Sequence, residues 1–168
     1  MDQAPEATWA DVGAGSGAFT LALADLLGPD AHVIAIDRDA GALARNSAVV
    51  KQRFPRTDIR TMTADLTQPL NVPLLDGLVA ANSLHYVARG DQVRVMHELA
   101  ALLKPGGVFV VVEYDTDSGN HWVPYPFAAR RWPDLAAAAG LAHARAIGRV
   151  PSRFLGAIYS ASAQRPAD

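Results

Sequence analysis

The stretch Trp9-Ala10-Asp11-Val12-Gly13-Ala14-Gly15-Ser16-Gly17 sets an acid two residues ahead of three alternating glycines, where an apolar run gives way to a helical one. A strand that ends in such a turn and feeds a helix commits this part of the chain to an α/β layer arrangement. The glycines let the backbone turn tightly and keep side chains away from whatever lies against it. A helix opening at Ala18 offers free N–H groups and the positive end of its dipole, which suit a carboxylate or phosphate. A nucleotide-derived ligand is implied. Gly13, Gly15 and Ala18 also have the spacing of a dinucleotide fingerprint, so the turn alone leaves the ligand open. Asp11 adds information, because a charge at the end of a strand buried on both faces is costly unless it is used. A structural Asp bonded to a neighbouring loop is the alternative.

The rest of the chain alternates strand and helix. Thr8–Val12 reads as a strand and Ala18–Leu27 as a helix closed by Gly28-Pro29. His32–Ile36 is a short apolar strand ending at Asp37, followed by a helix from about Asp39 to Phe54 that Pro55 ends. Ile59–Thr63 and Gly77–Ala81 read as further strands, separated by an irregular segment with Pro69 and Pro73. Asp91–Leu103 has helical periodicity, with Asp91 as its cap, and stops at Lys104-Pro105-Gly106-Gly107 before a β-run at Val108–Val112. Near-continuous apolar strands joined by helices predict a parallel, doubly wound sheet covered on both faces, a three-layer sandwich. Ligands in such sheets sit beyond the carboxyl ends of the strands. Asp11, Asp37, Asp65, His85 and Glu113 all fall there. After a long loop over residues 114–127, Pro133 is expected in the first turn of a helix ending before Gly140. Two last strands, about Ala142–Arg149 and Phe154–Ala161, are joined by Val150-Pro151-Ser152. A link that short demands antiparallel pairing.

At 168 residues the chain suits one domain, residues 1–168 with a core at about 8–161. Half of it is hydrophobic, and it has no cysteine, hence no disulfide frame, thiolate ligand set or thiol nucleophile. No metal site is expected. A cytoplasmic home fits, with no targeting signal and no apolar run approaching the roughly 18 residues of a membrane span. The net charge of −2 conceals a basic C-terminal part, with six arginines from Arg130 onward against Asp134 and Asp168. It lacks the interleaved basic and aromatic residues of a nucleic-acid surface.

Four features, taken together, resemble the class I S-adenosylmethionine-dependent methyltransferases over about Thr8 to Ala161. They are Asp11-Val12-Gly13-Ala14-Gly15-Ser16-Gly17, Ile36-Asp37, Ala64-Asp65-Leu66, and Leu103-Lys104-Pro105-Gly106-Gly107. The closing helix–strand–strand unit is similar to that family's antiparallel hairpin. The resemblance implies a seven-stranded sheet of order 3-2-1-4-5-7-6 and S-adenosyl-L-methionine as cofactor, with S-adenosyl-L-homocysteine as product.

The cofactor-binding residues implied are Asp11, Gly13, Ala14, Gly15 and Gly17 at the methionine end, joined by Asn82 and Leu84. Asp37 is implied at the ribose, Asp65 and Leu66 at the adenine, and Arg38 among the cofactor-binding residues. Chemically, Asp37 can accept two hydrogen bonds from vicinal hydroxyls; capping the next helix is its other reading. Asp65 has a turn-forming alternative. His85 and Glu113 are candidate general bases, since both follow core strands facing the crevice and His titrates near neutrality. A hydrogen-bonded loop histidine is the bland alternative for His85. Tyr86, Tyr114, His121, Trp122 and Tyr125 are candidates for the acceptor's wall, His121 and Trp122 first, although burying aromatic faces is also ordinary packing.

No Asn-Pro-Pro-Tyr-like motif follows the fourth strand, so a small-molecule acceptor, apolar or phenolic, is expected over nucleic acid. About seven residues precede the first strand, where many relatives carry covering helices. That departure implies cover from residues 114–132 or from a second copy in a homodimer. Two rivals stand beside the methyltransferase reading: a nicotinamide-dependent oxidoreductase and a non-catalytic S-adenosylmethionine-binding scaffold.

Overall fold

In the computed structural model, which describes residues 6–167, seven strands form one sheet in the order β3-β2-β1-β4-β5-β7-β6. The strands are β1 (Thr8–Val12), β2 (His32–Asp37), β3 (Asp58–Thr63), β4 (Leu75–Ala81), β5 (Leu103–Tyr114), β6 (Ala142–Ser152) and β7 (Gly156–Gln164). The first five run parallel, and β7 is antiparallel to both β5 and β6. Four helices flank them: α1 (Ala18–Leu27), α2 (Ala40–Arg53), α3 (Gln92–Ala101) and α4 (Trp132–Ala138).

Alternation along each strand divides the core between two faces. Ala10, Val12, Leu78, Ala80, Phe109 and Val111 join Val95, Met96 and Leu99 of α3 and Trp132 and Leu135 of α4 in the larger cluster. On the opposite face Leu23 of α1 meets Val33, Val79 and Val112, while Leu43 and Val50 of α2 cover Ala35 and Ile59. Strands buried on both faces explain the continuous apolar runs of β2 and β4. Among the described residues no helix is long and apolar enough to cross a membrane.

Several boundaries differ from the sequence expectation: β5 runs on to Tyr114 and the last strand is Gly156–Gln164, not Phe154–Ala161, and three more have a tertiary reason. The third helix ends at Ala101, because Leu103 pairs with Leu75 as the first rung of β5. The Lys104–Gly107 turn is therefore a register shift inside the β4–β5 ladder, and β4 starts at Leu75. Val150-Pro151-Ser152 is not a link but the end of β6, with Pro151 opposite Ala157. As β6 is an edge strand, a residue without an N–H is tolerated there. The reversal falls at residues 153–155. Asp91 occupies the N-cap position of α3 but makes no side-chain cap bond, its carboxylate being turned to Arg94.

Trp9 lies in register with Gly77 on the neighbouring strand, and a Cβ at Gly77 would fall 2.4 Å from the indole ring. Gly77→Ala should therefore cost about 1–3 kcal/mol through overpacking, read as a lower urea midpoint. An unchanged midpoint would show that Trp9 has room to swing aside.

Candidate functional site

Beyond β1 the glycine turn is folded back onto the end of β2. Gly13 and Ala14 both donate their N–H to the Ile36 carbonyl, at 2.8 and 2.9 Å, and Gly15 N–H donates to Asp37 Oδ2 at 2.8 Å. A Cβ at Gly13 would lie 2.4 Å from Ser83 Cβ, and one at Gly17 2.4 Å from the Asn46 side chain. Both glycines also have positive φ. Gly15 has nothing within 4 Å of its missing side chain. Its open side is free for a ligand to lie against the backbone.

Asp11 is buried beneath this turn and lines neither of the two cavities described below. It accepts a 2.6 Å hydrogen bond from Thr20 Oγ1, which itself accepts from Asn46 Nδ2 at 2.8 Å. The chain Asp11–Thr20–Asn46 joins β1 to α1 and α2. Burial raises the Asp11 carboxyl from 3.8 to about 6, against the bonds from Thr20 that lower it. The Asp11 side chain makes the structural bond that the sequence offers as one of its two roles.

A cavity of about 320 Å³ opens over the ends of β1 to β4. Gly13, Asp37, Arg38, Asp65, Leu66, Asn82 and Tyr86 line it, all of them site candidates from sequence. Asp37 accepts from Asp39 N–H as well as from Gly15. It does not cap α2, a role taken by Asp39, which accepts from Ala42 N–H. Asp65 Oδ1 accepts from both the N–H and the hydroxyl of Thr67, and those bonds hold its carboxyl below the ordinary range. Turn-forming and cavity-lining thus coexist in Asp65, with Oδ2 outside the turn. Ala14, Gly15, Gly17 and Leu84 do not line the cavity, and Leu84 is core.

A second cavity, about 360 Å³, adjoins the first. Asn82 and Tyr86 belong to both. Asn82 has positive φ, and its Oδ1 is buried with no partner. His85, Tyr114 and Trp122 form the far walls with Asn120, Val123 and Phe154. His121 lies outside, edge-on to Trp122.

His85 and Glu113 come together. Glu113 is fully buried, and its two oxygens accept from His85 Nδ1 at 2.8 Å and from His85 N–H at 3.1 Å. A buried carboxylate demands such donors. With Nδ1–H given to the carboxylate, the lone pair of the neutral ring is at Nε2, a tautomer assigned from the hydrogen-bond pattern. Among the described residues nothing bonds Nε2. Glu113 itself reaches neither cavity.

Ser83, Thr67 and Val87 of the first cavity and Phe154 of the second escape sequence reasoning. Ser83 donates its hydroxyl to the Val12 carbonyl. Phe154 has no local signal, since only the antiparallel hairpin carries residues 153–155 to the site.

A family model described as a methyltransferase domain matches residues 10–107. No curated protein sequence matches the chain. Among solved structures, the 1,6-didemethyltoxoflavin-N1-methyltransferase of Burkholderia thailandensis, with bound 1,6-didemethyltoxoflavin and S-adenosylhomocysteine, is 22% identical. Its TM-score is 0.76, over 96% of this chain and 72% of that one. The CurJ carbon methyltransferase is 20% identical with TM-score 0.75, covering 99% of this chain and 50% of that one. The N-methyltransferase NodS of Bradyrhizobium japonicum WM9 is 21% identical with TM-score 0.73, covering 95% and 86%. At these identities the likeness to solved structures establishes the fold.

The raised Asp11 carboxyl makes stability depend on pH. The native state holds this proton more tightly than the unfolded chain does, so the contribution is most favourable at low pH. It is lost as pH rises from about 4 through about 6, a penalty on the order of 2–3 kcal/mol above that range. Asp11→Asn keeps an acceptor for Thr20 and carries no charge. It should gain stability relative to the parent between about pH 4.5 and about pH 8, measured by urea denaturation at both. A constant difference between the two proteins would show that Asp11 ionises alike in the folded and unfolded chains.

Proposed function

This chain belongs to the methyltransferase-domain family, and from that premise we propose that it transfers a methyl group from S-adenosylmethionine to a small-molecule acceptor held in the second cavity. The observation that carries the reading is the pair of adjoining cavities with Asn82 and Tyr86 as their common wall. One is edged by strand-end carboxylates, the other by aromatic rings and a histidine.

The residues present fit the cofactor. Asp37 stands where vicinal ribose hydroxyls can donate to a carboxylate, and Asp65 with the Leu66 backbone suits the amino-bearing edge of adenine. The uncluttered face of Gly15 and the N-terminus of α1 suit the carboxylate of the amino-acid part. Asp11 acts here from below, by holding α1 and α2 under the turn. When bound, S-adenosylmethionine supplies an electrophilic methyl group, so chemical activation rests with the cofactor.

The protein's contribution is placement of the acceptor in line, and removal of its proton where it carries one. His85 suits the second of these roles, because it lines the acceptor cavity and its Nε2 is unbonded. Glu113 is a positioning residue, fixing the ring's tautomer and direction from the buried side. The Burkholderia structure with 1,6-didemethyltoxoflavin and S-adenosylhomocysteine bound is in keeping with a small acceptor.

Calorimetry with S-adenosylmethionine, S-adenosylhomocysteine and NAD tests the reading directly. Binding of NAD alone would replace it with the oxidoreductase reading, and nucleoside binding without turnover on a metabolite panel would leave a binding module. Asp37→Ala should weaken S-adenosylhomocysteine binding by about 1.5–3 kcal/mol, on the order of ten- to a hundredfold. Asp37→Asn, which retains one acceptor, should fall between. Equal affinity in all three would remove Asp37 from the ribose. Glu113→Gln should lower kcat about ten- to a hundredfold and alter its pH profile, leaving KM and S-adenosylhomocysteine affinity unchanged. A parallel fall in melting temperature and in nucleoside affinity would make its role structural only.

A further inference from the structure

The second cavity says more about its occupant than its position does. Among the described residues no Lys, Arg, Asp or Glu lines it. A charged acceptor would therefore surrender its hydration there without a compensating ion. Four of the walls are aromatic: Tyr86, Tyr114, Trp122 and Phe154. The His85 ring sits between two of these, 4.4 Å from Tyr86 and 6.0 Å from Tyr114, each tilted by about 50°. Trp122 and Phe154 stand 76% and 83% exposed, large apolar surfaces turned to water at the mouth.

The loop that presents Trp122 is held firmly for so exposed a segment. Asn120 Oδ1 accepts from the N–H groups of Trp122 and Val123. Tyr125 donates its N–H to the His85 carbonyl, and Gln92 donates to the Tyr125 carbonyl. At its flanks, Asp115 pairs with Arg149, and Asp117 with Arg130 and Arg131. The backbone that carries Trp122 is thus preorganised, so that little ordering of the loop is needed on binding.

Resting on the acceptor assignment of this cavity, we propose that its ligand is a neutral, planar aromatic molecule with one weakly acidic hydroxyl, a phenol, gripped by Tyr86, Tyr114, Trp122 and Phe154 with its hydroxyl directed at His85 Nε2. Offset or edge-on contacts with the rings hold the plane. The hydroxyl hydrogen is what the His85 Nε2 lone pair can accept. Its proton passes to Nε2, and the resulting imidazolium is neutralised by the Glu113 carboxylate already bonded to Nδ1. The oxygen keeps the electron pair of the broken O–H bond. A cavity of about 360 Å³ lies at the small end of the range of about 300–1,000 Å³ for drug-sized ligands, which suits one or two fused rings.

The probe is 4-nitrophenol, whose phenolate absorbs at longer wavelength than the phenol, titrated into the full chain with and without S-adenosylhomocysteine at a pH where the free probe is mostly protonated. Saturable binding with growth of the phenolate band is expected. Trp122→Ala and Phe154→Ala, both at exposed positions, should each weaken binding by about fivefold or more. His85→Gln should abolish the band, and 4-nitroanisole, which lacks the hydrogen, should bind more weakly than 4-nitrophenol. The proposal is overturned by absence of saturable binding, by equal affinity for the two probes, by indifference to both surface substitutions, or by a band that survives in His85→Gln. Calorimetry with S-adenosylhomocysteine on the same samples keeps the two readings apart: nucleoside binding without probe binding sinks this inference alone, and loss of nucleoside binding sinks the donor assignment.

Discussion

The Ile36 carbonyl accepts two N–H groups, from Gly13 and Ala14, and on that forked contact the site depends. It pulls the turn after β1 across the end of β2 and sets Gly15 against Asp37. The helix α1 then starts directly after the turn, beyond the end of β1, which pairs with β4 where the strand order reverses. Side chains are excluded from this junction by Ser83 on one side and Asn46 on the other. The open face of the turn and its packing face therefore belong to different glycines: Gly15 for the first, Gly13 and Gly17 for the second.

Beneath that turn lies a buried acid, and around the neighbouring cavity lies another, and they serve different ends. Asp11 is held by a hydroxyl and an amide relay, with no cation near it, so burial dominates and its proton is retained to unusually high pH. Glu113 is equally hidden but meets a histidine that donates twice. The first arrangement ties helices to the sheet; the second aims a ring. Burial of a charge has a cost in both, and in each case the return is position: of a loop, and of a lone pair.

The two cavities meet at a single wall, made by Asn82 and Tyr86. Asn82, just past the end of β4 in a left-handed conformation, turns the chain so that the next residues form a short 3₁₀ turn carrying His85 and Tyr86. One side of that turn meets the carboxylate-edged space, the other the aromatic one. The aromatic space is completed from afar, by the ion-pinned loop after β5 and by the tip of the β6–β7 hairpin.

Much of this is legible in the residues themselves. Alternation of apolar runs with helical periodicity specifies a doubly wound sheet, and the glycine turn with Asp37 and Asp65 at strand ends marks the first cavity, because strand termini and turns are encoded locally. Adjacency is not. Whether Asp11 faces ligand or helix, whether Lys104–Gly107 ends a strand or bends one, and that Glu113 stands behind His85 with both oxygens bonded to it depend on register and packing between segments far apart in the chain. Phe154 illustrates the limit most plainly: nothing near it in sequence announces a binding wall, and only strand pairing brings it there. Local chemistry chose the turns and the alternation of strand and helix; long-range pairing chose their neighbours and several strand limits, since hydrogen-bond register and side-chain burial are settled only when the whole sheet closes.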